Sequence, residues 1–151
     1  MNLLKPGDKA PEFSGKDQNG NTVSLADYKG KKLVLYFYPK DNTPGCTSEA
    51  CNLRDNYSDL IAKNHEVLGV SADSEKSHQS FIGKFNLPFP LISDEEKKII
   101  KDYQVWGEKK MYGKAYEGIL RKTFVISEDG LIEKIIEKVK IKEHSKQIFE
   151  D

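Results

Sequence analysis

The chain has 151 residues, of which 37% are hydrophobic and 32% are charged. This length and balance predict one globular domain spanning 1–151, built around a single substantial core. The 24 Lys and Arg residues are balanced by 24 Asp and Glu residues, so no net field attracts nucleic acid or anionic lipid, and neither is expected as a partner.

The amino-terminal residues, Met1 to Pro6, contain no apolar segment typical of an export signal. Nor does any apolar run approach the roughly 18 residues that a membrane span needs. We therefore expect a cytoplasmic protein without membrane association. Because a permanent structural disulfide is unusual in a reducing cytosol, the only two cysteines, Cys46 and Cys51, need another explanation.

The first third of the sequence predicts a β-hairpin followed by a buried strand. The turn signal Asn19-Gly20 separates a strand near Glu12–Lys16 from another near Asn21–Leu25. The continuous apolar and aromatic run Leu33–Tyr38 is typical of a strand buried on both faces, and Pro39 ends it.

A helix is predicted next, with the Thr43 hydroxyl as its N-cap and Pro44 at the first helical position. The residues that follow include six that recur at helical spacing and predict one buried stripe along one face of the helix. They are Cys46, Ala50, Leu53, Tyr57, Leu60 and Ile61.

The rest of the chain alternates strands and helices. The predicted elements are strand Val67–Val70, helix Glu75–Phe85 capped by Asp73 or Ser74, a short or edge strand at Pro88–Ile92, helix Asp94–Tyr103, a hairpin of Thr123–Ile126 and Leu131–Glu137 about Asp129-Gly130, and a short helix at Glu143–Phe149. The stretch Gly107–Gly113 is expected to be a solvated turn, within a lid or packing loop that also holds Trp106, Tyr112 and Tyr116. This order predicts an α/β architecture in which helices flank a central mixed sheet.

Cys46 lies in the first turn of the predicted helix, directly after a buried strand. The unpaired N–H groups and the positive end of the dipole at a helix start favour an anion. Since the thiolate is the nucleophilic form of cysteine, the position predicts a reactive residue. The alternative is a small apolar core residue, because Cys46 also belongs to the predicted buried stripe.

Cys51 lies five residues further along the same predicted helix. That spacing puts the two Cα atoms roughly 8–9 Å apart, whereas a disulfide needs less than about 7 Å. Either the disulfide never forms, or the first turns of the helix unwind after Cys46 is oxidised. A zinc site and a thioredoxin-type dithiol are both disfavoured, because the spacing is C-x4-C rather than C-x2-C. His65, His78 and His144 are scattered, and we expect them to be surface or partly buried residues.

The segment from Tyr36 to Cys51, YFYPKDNTPGCTSEAC, resembles the active-site segment of the peroxiredoxins, and more narrowly that of the peroxiredoxin Q (bacterioferritin comigratory protein) subfamily. The family pattern Pro-x3-Thr-x2-Cys falls on Pro39, Thr43 and Cys46, with the second cysteine of the subfamily at Cys51. The resemblance extends from GDKAPEF near the amino terminus to GILRKTFVI near the carboxyl terminus, and so covers nearly the whole chain.

The resemblance implies a thioredoxin-like fold and a peroxidase that reduces hydrogen peroxide and organic hydroperoxides. Cys46 would be the peroxidatic cysteine, and Cys51 would resolve its sulfenic acid as an intramolecular disulfide. Thioredoxin or a glutaredoxin-like protein would then restore both thiols. No metal, flavin or haem is required. Because resolution within one chain needs no second subunit, a monomer, or at most a weak dimer, is expected.

The resemblance also implies roles for four further residues. Arg121 matches the active-site arginine of the family, which stabilises the thiolate and the charge that develops across the breaking O–O bond. Thr43 would donate its hydroxyl to the same oxygen atoms while accepting a capping bond. Pro39 would shield the thiolate of Cys46, and Glu49 would orient Arg121 or the loop.

Two other functions remain open from sequence. A thiol–disulfide oxidoreductase on the same fold would be expected to carry C-x-x-C and a proline clamp before a strand, and this chain has neither. A non-enzymatic redox sensor or chaperone would use oxidation of Cys46 only as a signal. Activity on insulin disulfides distinguishes the first function from a peroxidase, and catalytic turnover with a thiol reductant distinguishes the second.

Overall fold

The computed structural model describes residues 3–150, apart from the side chain of Met111. Met1, Asn2 and Asp151, at the ends of the predicted domain, lie outside the described residues. The strands are β1 Ser14–Lys16, β2 Thr22–Ser24, β3 Lys32–Phe37, β4 His65–Ser71, β5 Leu91–Ser93, β6 Trp106–Met111, β7 Lys114–Ile119, β8 Lys122–Ile126 and β9 Ile132–Ile136. The helices are α1 Pro44–Asp55, α2 Tyr57–Ala62, α3 Glu75–Phe85, α4 Lys98–Asp102 and α5 His144–Phe149, with a 3-10 turn at Leu25–Tyr28.

Seven strands form one mixed sheet in the order β2-β1-β5-β4-β3-β8-β9. The central strand β3 pairs in parallel with β4 and antiparallel with β8. The predicted N-terminal hairpin is confirmed as the antiparallel pair β1–β2. The α/β class with a mixed sheet and flanking helices is therefore confirmed.

The alternating side chains of β3 build two cores, one on each face of the sheet. Leu33, Leu35 and Phe37 belong to a cluster that includes Ile99 and Tyr103 from the region of α4. Val34 and Tyr36 belong to a second cluster, which α1, α3 and α5 cover. Burial on both faces explains why β3 is apolar at every position after Lys32, and it places α1 at the carboxyl end of a rigid strand.

The predicted stripe after Cys46 is confirmed at Cys46, Ala50, Leu53 and Leu60, which are buried, and is wrong at Ile61. Asn56 directs both its backbone N–H and its side-chain amide to the Asn52 carbonyl, which ends α1 and separates it from α2. Ile61, predicted to be buried, is exposed on α2, next to the buried Leu60.

Two further boundaries differ from the prediction. The solvated turn at Gly107–Gly113 is wrong, because this stretch lies mostly in β6, which pairs with β7 as a separate two-stranded sheet. The helix predicted from Asp94 starts only at Lys98, since Lys97 is left-handed with φ of 63°. The Asp94 carboxylate instead accepts the Ile100 amide, and so caps the short α4. Within residues 3–150 no helix has the length and apolar character needed to cross a membrane.

Candidate active site

Cys46 sits in the first turn of α1, just beyond the loop that leaves β3. Its side chain is almost fully buried, and its sulfur accepts a hydrogen bond from Arg121 Nη2 at 3.3 Å. Cys51 is partly buried on the same helix, and both cysteines are free thiols. A cation and a helix start thus meet at one buried sulfur, an arrangement that stabilises a thiolate.

Arg121 immediately precedes β8 and uses two nitrogens at the site. Nη1 donates to Glu49 Oε1 at 2.5 Å, while Nη2 donates to Cys46. Gly45 lies beside this guanidinium, and a Cβ there would be in ordinary van der Waals contact with Nη2, at 3.4 Å. The structure therefore brings Arg121, Glu49 and Cys46 together, although 72 residues separate Arg121 from Glu49 in the sequence.

The charges at the site are strongly coupled. Burial raises the pKa of Glu49 to about 7, although Arg121 acts in the opposite direction through its charge and its hydrogen bond. The pKa of Arg121 is raised, because Glu49 and Cys46 outweigh the effect of its own burial. The Lys109 ammonium on β6 is a second nearby cation, whose pKa is lowered by burial and then by Arg121. It donates to the Ile119 carbonyl at 2.9 Å.

Thr43 occupies the predicted N-cap position, with Pro44 in the first turn, but its hydroxyl does not cap the helix. The hydroxyl donates to the Lys40 carbonyl at 3.0 Å, and only the Thr43 carbonyl bonds into the helix, to the Thr47 amide. The predicted N-cap position is therefore confirmed, whereas the side-chain capping bond is absent. Pro39 is partly buried in that loop, and its shielding of Cys46 stays a prediction.

The loop between β3 and α1 is anchored by a buried polar network around Asp41. The Asp41 carboxylate accepts from Tyr38 and Ser77 and lies 2.6 Å from His78 Nδ1. Asp73 accepts the Asp41 amide at 2.8 Å. Asp41, Asp73 and His78 place possible metal ligands within 4.8 Å of one another. Hydrogen bonds already use these atoms, since His78 Nε2 donates to a backbone carbonyl, so the network serves as a structural anchor.

The histidine prediction is wrong, because His65, His78 and His144 are all buried. His144 begins α5 and lies against the active-site carboxylate, with Nδ1 at 3.2 Å from Glu49 Oε2. This contact lies outside hydrogen-bond geometry. Sequence reasoning missed it because 95 residues separate the two positions and no pattern near His144 marks a site.

A cavity of about 410 Å³ lies away from this chemistry. Phe13, Tyr28 and Leu33 contribute to its wall, together with residues of the β8–β9 turn. Leu33 is near the start of β3, whereas Cys46 follows its end, so the cavity and Cys46 lie at opposite ends of this strand. None of the predicted site residues lines it.

Comparison with known proteins decides the family. Residues 6–135 match the AhpC/TSA family. The chain is 49% identical over 141 residues to the Bacillus subtilis protein named peroxiredoxin Bcp, covering 93% of this chain and 90% of that one. The chain belongs to the AhpC/TSA family of peroxiredoxins. It is a thiol peroxidase, so its substrates are hydroperoxides and its electrons come from a thiol reductant.

Solved structures of this peroxiredoxin's relatives agree with its fold. A cysteine-to-serine variant of Xylella fastidiosa PrxQ superposes with a TM-score of 0.91 at 36% identity, covering 98% of this chain and 94% of that one. A Xanthomonas campestris bacterioferritin comigratory protein, studied for alkyl peroxide reduction, gives 0.84 at 37% identity over 90% of this chain and 87% of that one. The thioredoxin-like fold and the peroxiredoxin Q resemblance are therefore confirmed.

Proposed function

We propose that this peroxiredoxin reduces hydroperoxides through a sulfenic acid on Cys46 and an intramolecular disulfide between Cys46 and Cys51. The observation that carries the proposal is the 3.3 Å hydrogen bond from Arg121 to a buried cysteine at a helix start. A residue that served only to fill the core would need no cation at its sulfur. Glu49 holds that cation in place through its own 2.5 Å bond.

In the first step the Cys46 thiolate attacks the terminal oxygen of the hydroperoxide. The S–O bond forms as the O–O bond breaks, so sulfur is oxidised by two electrons and the leaving alkoxide or hydroxide takes up a proton to become alcohol or water. Arg121 stabilises the negative charge as it moves from sulfur to the leaving oxygen. The Thr43 hydroxyl donates to Lys40 in the resting site, so a bond from Thr43 to substrate would require it to turn.

In the second step Cys51 attacks the Cys46 sulfur, which forms the S–S bond and releases the sulfenic oxygen as water. Both cysteines lie on α1, at a helical separation of roughly 8–9 Å between Cα atoms, so the helix must unwind between them. A dithiol protein then reduces the disulfide by exchange and becomes oxidised itself.

We further propose the partners and the setting of this cycle. The reductant is thioredoxin or a glutaredoxin-like protein, since each offers the dithiol that exchange needs. Alkyl hydroperoxides are substrates alongside hydrogen peroxide, by analogy with the alkyl peroxide reduction activity of the Xanthomonas campestris protein. The working unit is a monomer, because one chain supplies both cysteines. Two free thiols without a structural disulfide suit a reducing compartment, and we place the enzyme in the cytosol.

The test is turnover in a reconstituted system of thioredoxin, thioredoxin reductase and NADPH, with hydrogen peroxide or cumene hydroperoxide as substrate. The parent protein should consume NADPH in proportion to peroxide, and Cys46→Ser should not. A second assay tests the oxidoreductase alternative, with insulin as substrate and a limiting concentration of dithiothreitol as the only reductant. The parent protein should not accelerate the reduction of insulin disulfides in this assay. Activity on insulin with none on peroxide would instead support the oxidoreductase alternative.

A further inference from the structure

The active-site carboxylate touches the last helix of the chain. Glu49 is fully buried, and while Oε1 holds Arg121, Oε2 lies 3.2 Å from His144 Nδ1. His144 is fully buried as well, and its ring packs edge-on against Tyr36 of β3. Within residues 3–150 neither Oε2 nor Nδ1 has a hydrogen-bond partner. Two buried polar atoms that face each other in this way are costly to separate, because each would lose its nearby counterpart without gaining water.

The other ring nitrogen determines where the proton of His144 resides. Nε2 lies 2.7 Å from the Thr123 hydroxyl, which has no other acceptor in the described part of the chain. Thr123 therefore donates to Nε2, and the neutral ring carries its hydrogen on Nδ1, which lies 3.2 Å from Glu49 Oε2 but off the line of a hydrogen bond. Burial, together with a smaller effect of the Arg121 charge, lowers the pKa of His144 to about 3. The ring is therefore neutral at physiological pH.

We propose that His144 is a positioning residue for peroxide reduction: its Nδ1–H holds the Glu49 carboxylate in the orientation that fixes Arg121 against the Cys46 sulfur. The proposal rests on the proposed function and assigns the carboxyl-terminal helix α5 a part in it. His144 touches neither sulfur nor substrate and acts through Glu49 alone.

The same contact opposes the second step of the cycle. Glu49 lies between the two cysteines on α1, so unwinding this stretch removes its carboxylate from Arg121 and from His144. Loss of the His144 contact should therefore slow the first attack and speed disulfide formation. Opposite effects on two consecutive steps are not expected of a residue that only fills space.

A second contact between α5 and α1 provides the matched control. The Asn52 side chain donates to the Lys142 carbonyl at 3.0 Å and accepts the Ser145 amide at 2.8 Å. These bonds fasten the carboxyl-terminal segment to α1 without reaching Glu49 or Arg121. Asn52→Ala therefore loosens the docking of α5 and leaves the carboxylate contact to His144.

The experiment compares this control with three variants of His144. His144→Gln and His144→Leu lack a donor at the Nδ1 position, whereas the amide of His144→Asn places an N–H close to it. Circular dichroism first establishes that each variant is folded. Stopped-flow measurement of peroxide consumption in a Cys51→Ser background gives the rate of the first attack. The rate of disulfide formation is measured with Cys51 present.

At pH 7 the first attack should be about tenfold slower in His144→Gln and His144→Leu, because a buried carboxylate oxygen loses the N–H group that faces it. It should stay within about threefold of the parent in His144→Asn, and within about twofold in Asn52→Ala. Disulfide formation should be faster in the two donor-free variants. Equal slowing of the first attack in Asn52→Ala, or no rescue by His144→Asn, would overturn the proposal by showing that α5 matters only for docking.

A pH profile adds a readout that a loss of packing would not move. The groups that interact with Glu49 are Arg121 before β8, Tyr36 on β3 and His144 on α5, and Cys46 on α1 interacts with Arg121 and Tyr36. Burial, and then Glu49, raise the pKa of Tyr36 well above its usual value, so its hydroxyl stays neutral. Without the His144 donor, the pKa of Glu49 should rise further, and Glu49 should keep its proton to higher pH.

The deficit of His144→Gln should therefore shrink as pH rises from 6.5 to 8.5, and a constant deficit would contradict the role. A parent protein that does not react with peroxide would overturn the proposed function and this proposal together. A reactive parent with an unaffected His144→Gln variant would overturn this proposal alone.

Discussion

Arg121 offers the sharpest test of how the site works, because its planar guanidinium bonds two partners at once. Nη1 reaches Glu49 Oε1 at 2.5 Å and Nη2 reaches Cys46 Sγ at 3.3 Å. A lysine ammonium is a single point on a flexible stem and cannot reproduce this fork. Arg121→Lys therefore keeps the charge while losing one of the two bonds, and Arg121→Gln loses the charge as well.

The expected magnitude follows from the lost thiolate bond. A hydrogen bond to a charged group contributes about 1.5–3 kcal/mol, and each 1.36 kcal/mol in a barrier is a tenfold change in rate. Solvent weakens this bond little, since Cys46 is almost fully buried and only about a quarter of the Arg121 side chain is exposed. Arg121→Lys should slow the attack of Cys46 on peroxide by about 10- to 150-fold, and Arg121→Gln by at least as much.

Both variants should still fold. Arg121 lowers the pKa of Glu49 against the effect of burial, so its removal lets Glu49 take up a proton at neutral pH instead of remaining a buried, unpaired carboxylate. The assay is single-turnover peroxide consumption in a Cys51→Ser background. Lys122→Gln is the control, since it removes the neighbouring positive charge from a surface pair with Glu137 at 3.5 Å. Attack by Arg121→Lys within about threefold of the parent would refute the assignment of Arg121.

Three further predictions follow from the same contacts. In the oxidised protein, the α1 amides from Thr47 to Cys51 should exchange hydrogen at least tenfold faster than in the reduced protein, and equal protection would contradict unwinding. Asp41→Ala should lower the free energy of unfolding by about 3 kcal/mol in urea, because His78 and two hydroxyls lose their buried acceptor; a loss below about 1 kcal/mol would show that the network is dispensable. Folding lowers the pKa of His144 from 6.5 to about 3, so between these values only the unfolded chain binds a proton at this residue. Between pH 7.5 and pH 5 the free energy of unfolding of the parent should therefore fall by about 2 kcal/mol relative to that of His144→Asn. A pH-independent difference in urea unfolding would show that His144 titrates normally.

The parts of the fold that sequence could predict are those fixed by local pattern. The run Leu33–Tyr38 is apolar at every position because β3 is covered on both faces, and that composition is readable without a structure. The start of α1 is equally local, since Pro44 at the first helical position and Cys46 in the same first turn follow directly from the order of residues. The position of Cys46 could therefore be predicted together with the strand and helix that hold it, and its reactivity stays a prediction.

The hairpin β6–β7 escaped prediction for a physical reason. Its residues include Lys109, Lys110 and Glu117, most are exposed, and neither strand has the apolar face that marks a half-buried strand. The turn at Tyr112 and Gly113 has positive φ at both positions, as a two-residue hairpin turn requires, but tyrosine is not a residue that signals such a turn.

The contacts that complete the site join residues far apart in the sequence, so local sequence patterns could not predict them. Glu49 meets Arg121 across 72 residues, and His144 joins them from the last helix of the chain. The family resemblance could supply Arg121 and suggest Glu49, but it said nothing of His144. The bond in which the Thr43 hydroxyl donates to the Lys40 carbonyl could not be predicted from the sequence either.

The central claim, that Cys46 attacks and Cys51 resolves, is tested most directly by intact-mass analysis after one equivalent of hydrogen peroxide. The reduced parent protein should lose about two mass units as the disulfide forms, and Cys51→Ser should gain about sixteen as Cys46 becomes a sulfenic acid. Cys46→Ser should keep its mass. An unchanged parent and an unchanged Cys51→Ser variant, at times from milliseconds to seconds, would contradict the account and leave Cys46 as a buried structural residue.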